Sequence, residues 1–270
     1  MQALQHWPLA ERRLVGGVFT DIDDTLTSEG RITADALQAL HALKAAGLCV
    51  VATTGRPIGW CEGLANGDAL RGLAPWPVDA LVAENGALAW VGEPGKRHKI
   101  YRQSAAERAL NQERMQAVAK RIATEIPAAQ ITRDSTGRET DLAIDHGEFT
   151  RLSESEIARV VALMQAEGMH TTVSSIHTHG CYGQFNKWTG AEWIVQQLWQ
   201  RKLVDELRHW VFVGDSGNDV AMFQHFQHSV GVANISAVAP TLPHLPRYIS
   251  PSERGAGFAE VARALLEARP

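Results

Sequence analysis

Short apolar runs and helical periodicity alternate along both ends of the chain. Apolar runs that are followed directly by polar residues are typical of buried parallel strands. We predict three such strands in the first part of the chain, at residues 14–20, 48–52 and 79–83. Leucines recur on one helical face between the first two, which predicts a helix from Thr33 to a stop at Gly47. Strand, helix and strand in this order predict a parallel sheet.

The same pattern returns near the other end of the chain. Thr189 and Glu192 have the spacing of a capping box, so we predict that a helix starts at Thr189. Two strands, at 210–213 and 229–232, and a closing helix at 258–266 are predicted after it. We therefore expect both chain ends to contribute to one sheet.

The middle of the chain has a different pattern of polar and apolar residues. Residues 92–99 are polar and rich in turn formers, which is typical of a linker. Ser104 and Ser153 each begin a capping box, and a helix is predicted after each of them. Further strands are predicted at 141–145 and 169–176. The predicted fold class is therefore α/β, with a Rossmann-like parallel-sheet core formed by residues 1–90 and 183–270 and an inserted α+β domain at residues 91–182.

Composition and charge exclude several function classes. The formal net charge is -4 and the chain has no lysine- or arginine-rich run, so nucleic-acid binding is not expected. No apolar stretch has the length of a membrane span, and residues 1–13 lack the apolar middle of a signal peptide. The widely spaced Cys49, Cys61 and Cys181 predict neither a disulfide framework nor a zinc site. A reducing, cytoplasmic setting is expected.

Four polar clusters lie at predicted strand ends or just before a helix, where open α/β sheets bind their ligands. They are Asp21-Ile22-Asp23-Asp24-Thr25, Thr53-Thr54-Gly55-Arg56, Lys187, and Gly214-Asp215-Ser216-Gly217-Asn218-Asp219. Each cluster alone is equally compatible with a polar turn, a helix cap or a solvated surface charge. Their order and their positions together favour one shared site for a phosphate and a divalent cation.

These clusters resemble the four motifs of the haloacid dehalogenase (HAD) superfamily. The matching residues are Asp21-x-Asp23-x-Thr25, Thr54, Lys187 and Gly214-Asp215-x-x-Asn218-Asp219. The insertion between the second and third motifs is similar to the type-IIB cap, found in sucrose-phosphate and mannosyl-3-phosphoglycerate phosphatases and in many bacterial sugar phosphatases. The resemblance implies an enzyme that acts on a small phosphomonoester, with no nucleic acid or membrane as partner.

The resemblance also implies roles for the acidic residues. Asp21 would attack phosphorus and form an aspartyl-phosphate, and Asp23 would act first as general acid and then as general base. Mg²⁺ would be held by Asp21, the backbone carbonyl of Asp23 and Asp215. Asn218 and Asp219 would complete or support that shell.

Thr54 and Lys187 would hold the oxygens of the transferring phosphoryl group. Thr53 is a rival for the hydroxyl role, and Thr54 is preferred because it directly precedes the glycine of the Thr-Gly-Arg segment. Gly55 and Arg56 of that segment are further candidates to bind phosphate or substrate.

Polar residues of the inserted domain are candidates to bind the leaving group. Arg138 and Asp141 open one predicted strand, and His177 and His179 follow another. The alternative interpretation is a solvated edge of the domain. The substrate class that the resemblance implies is a sugar phosphate or a related metabolite, and the oligomeric state is not predicted.

Two other functions fit the same motifs. A phosphomutase or phosphotransferase similar to phosphomannomutases would use the same nucleophile and pass the phosphoryl group to a sugar instead of water. A noncatalytic phosphate-binding module on this fold is the third possibility, because a fold alone does not determine function.

Overall fold

The computed structural model describes residues 1–174 and 176–269. Its larger sheet has nine strands, of which seven are parallel and two form an antiparallel extension. In spatial order the strands are β1 (Gln2–Ala3), β15 (Tyr248–Ile249), β14 (His228–Gly231), β13 (Trp210–Gly214), β2 (Gly17–Asp21), β5 (Cys49–Thr53), β6 (Ala80–Ala83), β7 (Leu88–Val91) and β8 (His98–Tyr101). Both chain ends contribute strands, and the predicted α/β class is confirmed.

Helices cover both faces of this sheet, which explains why its central strands are apolar throughout. The α-helices of the described residues are α1 (Leu9–Leu14), α2 (Ala34–Ala45), α3 (Glu62–Asn66), α4 (Ala105–Glu125), α5 (Glu154–Ala166), α6 (Lys187–Trp199), α7 (Val220–His225) and α8 (Arg254–Leu266). Leu40 of α2 and Phe258 of α8 belong to the apolar core on one face of the sheet. Ile194 of α6 and Met222 of α7 belong to the core on the other face.

Several predicted boundaries differ from the observed ones. The strand predicted at residues 14–20 is β2, which begins at Gly17 because residues up to Leu14 form helix α1. Helix α8 begins at Arg254, earlier than the predicted 258. Helix α6 begins at Lys187 and not at Thr189, because the side chain of Asn186 accepts a hydrogen bond from the Thr189 N–H and caps the helix there. Lys187 is therefore the first residue of the helix.

Residues 91–101 belong to the core sheet and do not begin the inserted domain as predicted. The predicted linker, residues 92–99, is mostly the turn of an antiparallel hairpin between β7 and β8. Burial holds this hairpin in place: Trp90 is buried and its indole N–H donates to the Ile58 carbonyl oxygen at 3.0 Å. The turn formers of the segment thus serve a hairpin at the sheet edge.

The inserted segment forms a four-stranded antiparallel sheet, as its alternating pattern indicated. Its spatial order is β11 (His170–Val173), β12 (His177–Cys181), β10 (Asp141–Asp145) and β9 (Gln130–Ile131). Helices α4 and α5 pack on it through a separate apolar core. The strand predicted at 169–176 is shorter than expected, and Ser175 lies outside the described residues. We call this segment the cap.

A small hairpin of β3 (Thr27–Ser28) and β4 (Arg31–Ile32) follows β2. Among the described residues, no helix combines the length and the apolar character needed to cross a membrane.

Candidate active site

Three adjacent strands of the core sheet end at the same edge and deliver the predicted motifs to one place. Strand β2 lies between β5 and β13, and Asp21 at its end is in register with Thr53. Strand β13 ends at Gly214, directly before Asp215. Parallel strands point their carboxyl ends to the same edge of a sheet. The first, second and fourth motifs, which lie at the ends of these three strands, are therefore together at that edge.

A buried ion cluster lies at this edge. The Lys187 ammonium donates to Asp21 Oδ1 at 2.5 Å and to Asp219 Oδ1 at 2.7 Å, and its side chain is 0% exposed. The other oxygen of Asp219 accepts hydrogen bonds from the backbone N–H groups of Asp215 and Ser216. Asp219 therefore fixes both the lysine and the loop that carries Asp215.

Burial makes this cluster electrostatically unbalanced. Burial raises the pKa of Asp21. The positive charge of Lys187 acts to lower this pKa, and the carboxylates of Asp219 and Asp23 act to raise it further. Burial and the neighbouring carboxylates also raise the pKa of Asp215 well above its usual value. The pKa of Lys187 is raised as well, because its two carboxylate partners outweigh the effect of burial. The cluster thus carries more negative charge than its lysine neutralises.

This donor set fits a divalent cation. One carboxylate oxygen from each of Asp21, Asp215 and Asp219 lies within 4.8 Å of the others, and all three residues are buried. Hard oxygen ligands and uncompensated negative charge are what Mg²⁺ requires. Asn218 lies beside the cluster, where its side-chain oxygen accepts from the Ser216 hydroxyl at 2.9 Å.

Two further side chains orient the Asp215 carboxylate. Asn234 donates to Asp215 Oδ2 at 2.9 Å and to the Asp24 carbonyl oxygen at 3.1 Å. Thr25 donates to Asp215 Oδ1 at 3.3 Å. Asn234 was not predicted from the sequence, and its only signal there is its position just after the strand that neighbours β13.

Asp23 lies closer to solvent, with 21% of its side chain exposed. The Thr54 hydroxyl is 3.4 Å from Asp23 Oδ2 and also accepts from the Arg56 N–H. Thr53 points elsewhere, since its hydroxyl lies 3.5 Å from the Thr20 carbonyl oxygen. Of the two predicted rivals, Thr54 is therefore the one beside the carboxylates.

Arg56 joins the core to the cap. Its guanidinium donates to both oxygens of Asp23 at 3.1–3.2 Å, to both oxygens of Glu148 at 3.0 and 3.1 Å, and to Asp134 at 3.4 Å. Glu148 also contacts His177 Nε2 at 2.9 Å. Neither Glu148 nor Asp134 was predicted as a site residue.

The four predicted cap residues occupy two different layers. His177 and His179 line the cleft opposite Asp21, whereas Arg138 and Asp141 lie behind them. Arg138 donates to both oxygens of Asp141 at 2.9 and 3.0 Å and to the Gly55 carbonyl oxygen at 2.9 Å. Asp141 in turn contacts His179 Nδ1 at 2.9 Å. Arg138 and Asp141 do not line this cleft, and Asp141 links Arg138 to His179.

Glu84 makes a second link between core and cap, which sequence reasoning missed. Its buried carboxylate accepts from the N–H and hydroxyl of Thr140 at 2.6 and 2.5 Å, and from the N–H groups of Glu139 and Ile58. Burial and the nearby Asp141 raise its pKa to about 7, against the hydrogen bond from Thr140, which lowers it. Glu84 therefore ties the start of β10 to the core.

Two glycines bring the start of α6 close to the loop after β6. Gly86 has φ +101°, and a Cβ added there would lie 2.5 Å from the Asn186 carbonyl oxygen. A Cβ added at Gly190 would lie 2.5 Å from Gly86 Cα. This backbone contact needs two residues without side chains, and it fixes the helical turn that carries Lys187.

The cleft between the two layers is narrow. It is lined by Asp21, Asp23, Gly55, Arg56, Ser174, Ile176, His177, His179, Ser216 and Asn218. Its volume is about 20 Å³, room for a water molecule but not for a sugar phosphate. A sugar phosphate would therefore fit only if the cap moved away from the core.

Part of the chain matches a known family model. Residues 18–138 match the family model described as haloacid dehalogenase-like hydrolase. No curated protein matched the sequence.

Solved structures share the fold over nearly the whole chain. A putative HAD/COF-like hydrolase from Plasmodium vivax is 15% identical with a TM-score of 0.68, covering 96% of this chain and 99% of that one. The sucrose-phosphatase of Synechocystis, solved with sucrose and phosphate, is 15% identical with a TM-score of 0.64, covering 94% and 98%. A sugar phosphatase of HAD subclass IIB is 19% identical with a TM-score of 0.62, covering 94% and 98%. Residues 18–138 thus match the haloacid dehalogenase-like hydrolase model, and the chain as a whole shares its fold with these solved structures.

Proposed function

We propose that this protein is a Mg²⁺-dependent phosphomonoesterase that works through an aspartyl-phosphate on Asp21. The observation that carries the proposal is the meeting of two carboxylates, Asp21 and Asp23, with Lys187 at one strand edge. Asp21 is held by a buried ammonium, and Asp23 lies two residues later at the entrance of the cleft. One carboxylate is thus placed for nucleophilic attack and the other for proton transfer.

In the proposed first half-reaction, Asp21 attacks phosphorus and the bond to the leaving oxygen breaks. Asp23 gives its proton to that oxygen, so the product leaves as a neutral alcohol. Both oxygens of Asp23 contact Arg56, so proton transfer requires one of these contacts to open.

In the second half-reaction, a water molecule attacks the phosphorus of the aspartyl-phosphate. Asp23 accepts the water proton, the bond from Asp21 to phosphorus breaks, and inorganic phosphate is released. Lys187 stabilises the negative charge on the phosphoryl oxygens in both steps, and Thr54 adds a hydroxyl donor.

Asp21, Asp215 and Asp219 would hold the magnesium ion, with Asn218 beside them. When bound, the ion would supply positive charge for the phosphoryl oxygens and for the crowded carboxylates. Chelation should abolish activity and magnesium should restore it. Calcium should inhibit, because its larger and more variable coordination shell lets a carboxylate bind with both oxygens.

A phosphate-release screen over sugar phosphates, other phosphorylated metabolites and an aryl phosphate, with and without magnesium, tests the proposal. Magnesium-dependent release of inorganic phosphate is the expected result. Conversion to a rearranged sugar phosphate without phosphate release would indicate the phosphomutase instead. Phosphate binding without turnover of any substrate would indicate the noncatalytic module.

A further inference from the structure

The cap side of the cleft carries an unusual charge pattern for a protein that binds phosphate esters. Among the described residues that line the cleft, Arg56 is the one permanent cation. Its donors are already committed to carboxylates: the Nε and Nη2 atoms contact Asp23, and the Nη1 and Nη2 atoms contact Glu148. The guanidinium therefore has little capacity left for a second anion.

The two histidines of the cap each contact a carboxylate. Burial lowers the pKa of His179 to about 4, against the hydrogen bond with Asp141, so its ring is neutral near pH 7. His177 shares Glu148 with Arg56 through its Nε2 atom. Arg138 lies behind the histidines with 3% of its side chain exposed, where Asp141 and the Gly55 carbonyl oxygen accept its hydrogen bonds.

Glu148 is a charged cap group that contacts two residues lining the cleft, Arg56 and His177. Its hydrogen bonds with His177 and with Arg56 lower its pKa to about 2, so it is ionised at neutral pH. A quarter of its side chain is exposed, and it contacts the same guanidinium that contacts Asp23. Glu148 is therefore separated only by the Arg56 guanidinium from Asp23, the proposed proton donor to the leaving group.

We propose that Glu148 determines substrate specificity by charge: it excludes phosphate esters whose leaving group carries its own anion and admits those whose leaving group is an uncharged polyol, an uncharged sugar or a cation. An anionic leaving group meets a like charge, and the Arg56 guanidinium beside it already donates to Asp23 and Glu148. An uncharged hydroxylated group accepts or donates hydrogen bonds with Glu148 and His177, and a cationic group pairs with Glu148 directly. This assignment rests on the proposed phosphomonoesterase function.

Three substrates of similar size test the charge rule. Glycerol 3-phosphate and 3-phosphoglycerate differ by a hydroxymethyl group against a carboxylate, and phosphoethanolamine supplies a cationic leaving group. We measure kcat/KM with excess enzyme, so that slow substrates also yield a value, for the wild type, Glu148→Gln and the control Glu113→Gln. Glu113 is an exposed glutamate on the cap helix α4.

Wild type should favour glycerol 3-phosphate over 3-phosphoglycerate by about tenfold or more. Glu148→Gln should shrink that ratio by on the order of tenfold, and it should lower the rate for phosphoethanolamine relative to glycerol 3-phosphate. Each ratio compares kcat/KM for two substrates of the same variant. A general loss of cap closure lowers both values alike and therefore leaves the ratio unchanged. Glu113→Gln should keep the wild-type ratios.

Two results would overturn the charge rule without contradicting the proposed phosphatase activity. One is equal kcat/KM of the wild type for glycerol 3-phosphate and 3-phosphoglycerate, and the other is a set of ratios in Glu148→Gln that match those of Glu113→Gln. If the wild type with magnesium hydrolyses none of the three substrates and no 4-nitrophenyl phosphate, the proposed function itself is wrong, and the specificity assignment falls with it.

Discussion

The charged groups around Lys187 are fully buried, whereas the Asp23 and Glu148 carboxylates that share Arg56 keep part of their surface in solvent. Lys187 and Asp219 have 0% of their side chains exposed, but Asp23 has 21% and Glu148 has 25%. Lys187 begins helix α6, and Asp219 follows strand β13 in the same segment as Asp215. Asp23 and Arg56 come from the core, and Glu148 comes from the cap.

The difference assigns separate tasks to the two sides. Buried ion pairs are costly to break, so the core side keeps the nucleophile in one geometry. Ion pairs near solvent contribute much less stability and can open repeatedly. Arg56 lies at the boundary, because it contacts Asp23 on one side and Glu148 on the other. In the proposed mechanism the core would therefore hold the reacting groups, and the exchangeable contacts of Arg56 would control access and selection.

The strongest test of the core side is Asp21→Asn. This change keeps the shape of the side chain but removes the nucleophilic carboxylate, so kcat should fall by roughly 10³-fold or more. The fold should persist, since the substitution also removes one of several buried negative charges. Phosphate release is the measurement, with Asp205→Asn on the exposed surface as control. Substantial residual activity in a preparation free of other phosphatases would contradict the covalent mechanism.

Lys187→Met tests whether the buried cluster depends on its cation. Without the ammonium, Asp21 and Asp219 remain buried and uncompensated, so the free energy of unfolding should drop by about 3 kcal/mol. Urea unfolding in the presence of a chelator measures this loss. Adding Asp219→Asn to the variant should recover part of the stability, because it removes one of the two orphaned charges. A stability equal to the wild type would contradict the ion-cluster interpretation.

Glu84→Gln tests the link between the layers away from the nucleophile. One carboxylate oxygen becomes an amide NH₂ that faces N–H donors of the cap, which should cost about 2 kcal/mol of stability. Thermal or urea unfolding of Glu84→Gln is compared with that of Glu93→Gln, an exposed glutamate in the turn between β7 and β8. Identical losses in the two variants would show that the Glu84 contacts add nothing.

The smallest expected effect concerns the solvent-facing pair of Arg56 and Glu148. Because the pKa of Glu148 is lowered in the folded protein, this group stabilises the fold above its unfolded pKa near 4.5 and loses that contribution as the pH falls toward about 2. After allowance for solvent screening, the contribution is about 1 kcal/mol. The stability difference between the wild type and Glu148→Gln should shrink over this pH range. A difference that stays constant from pH 6 to pH 3 would contradict the pairing.

Sequence reasoning named the core residues and, on the outer side, Asp23, Arg56, His177 and His179, but it missed Glu148, Asp134 and Glu84, for a physical reason. Asp21, Thr54 and Asp215 directly follow strands or end them, and an apolar run is visible in a single stretch of sequence. The contact of Arg56 with Glu148 joins residues 92 positions apart, and no local pattern encodes it. Such pairs depend on how the cap sits on the core, which tertiary packing decides.

The fold shows the same division. The α/β class followed from the alternation of strands and helices, and the antiparallel cap sheet from its alternating residues. The hairpin of β7 and β8 was taken for a linker, because the turn formers at 92–97 look alike in both settings. The start of α6 was placed at Thr189 because two capping boxes overlap there, and the tertiary structure uses the one that begins at Asn186.

The contact between Gly86 and Gly190 has a consequence for mutational scans of this protein. Neither residue carries a functional group, yet even alanine at either position forces the backbone of the loop and the helix apart. That separation would move the first turn of α6, and Lys187 with it, away from Asp21. Loss-of-function maps should therefore mark both glycines as intolerant as the acidic motif residues. A ranking of positions by phenotype alone would count them among the reacting groups, although their contribution is the distance between two backbones.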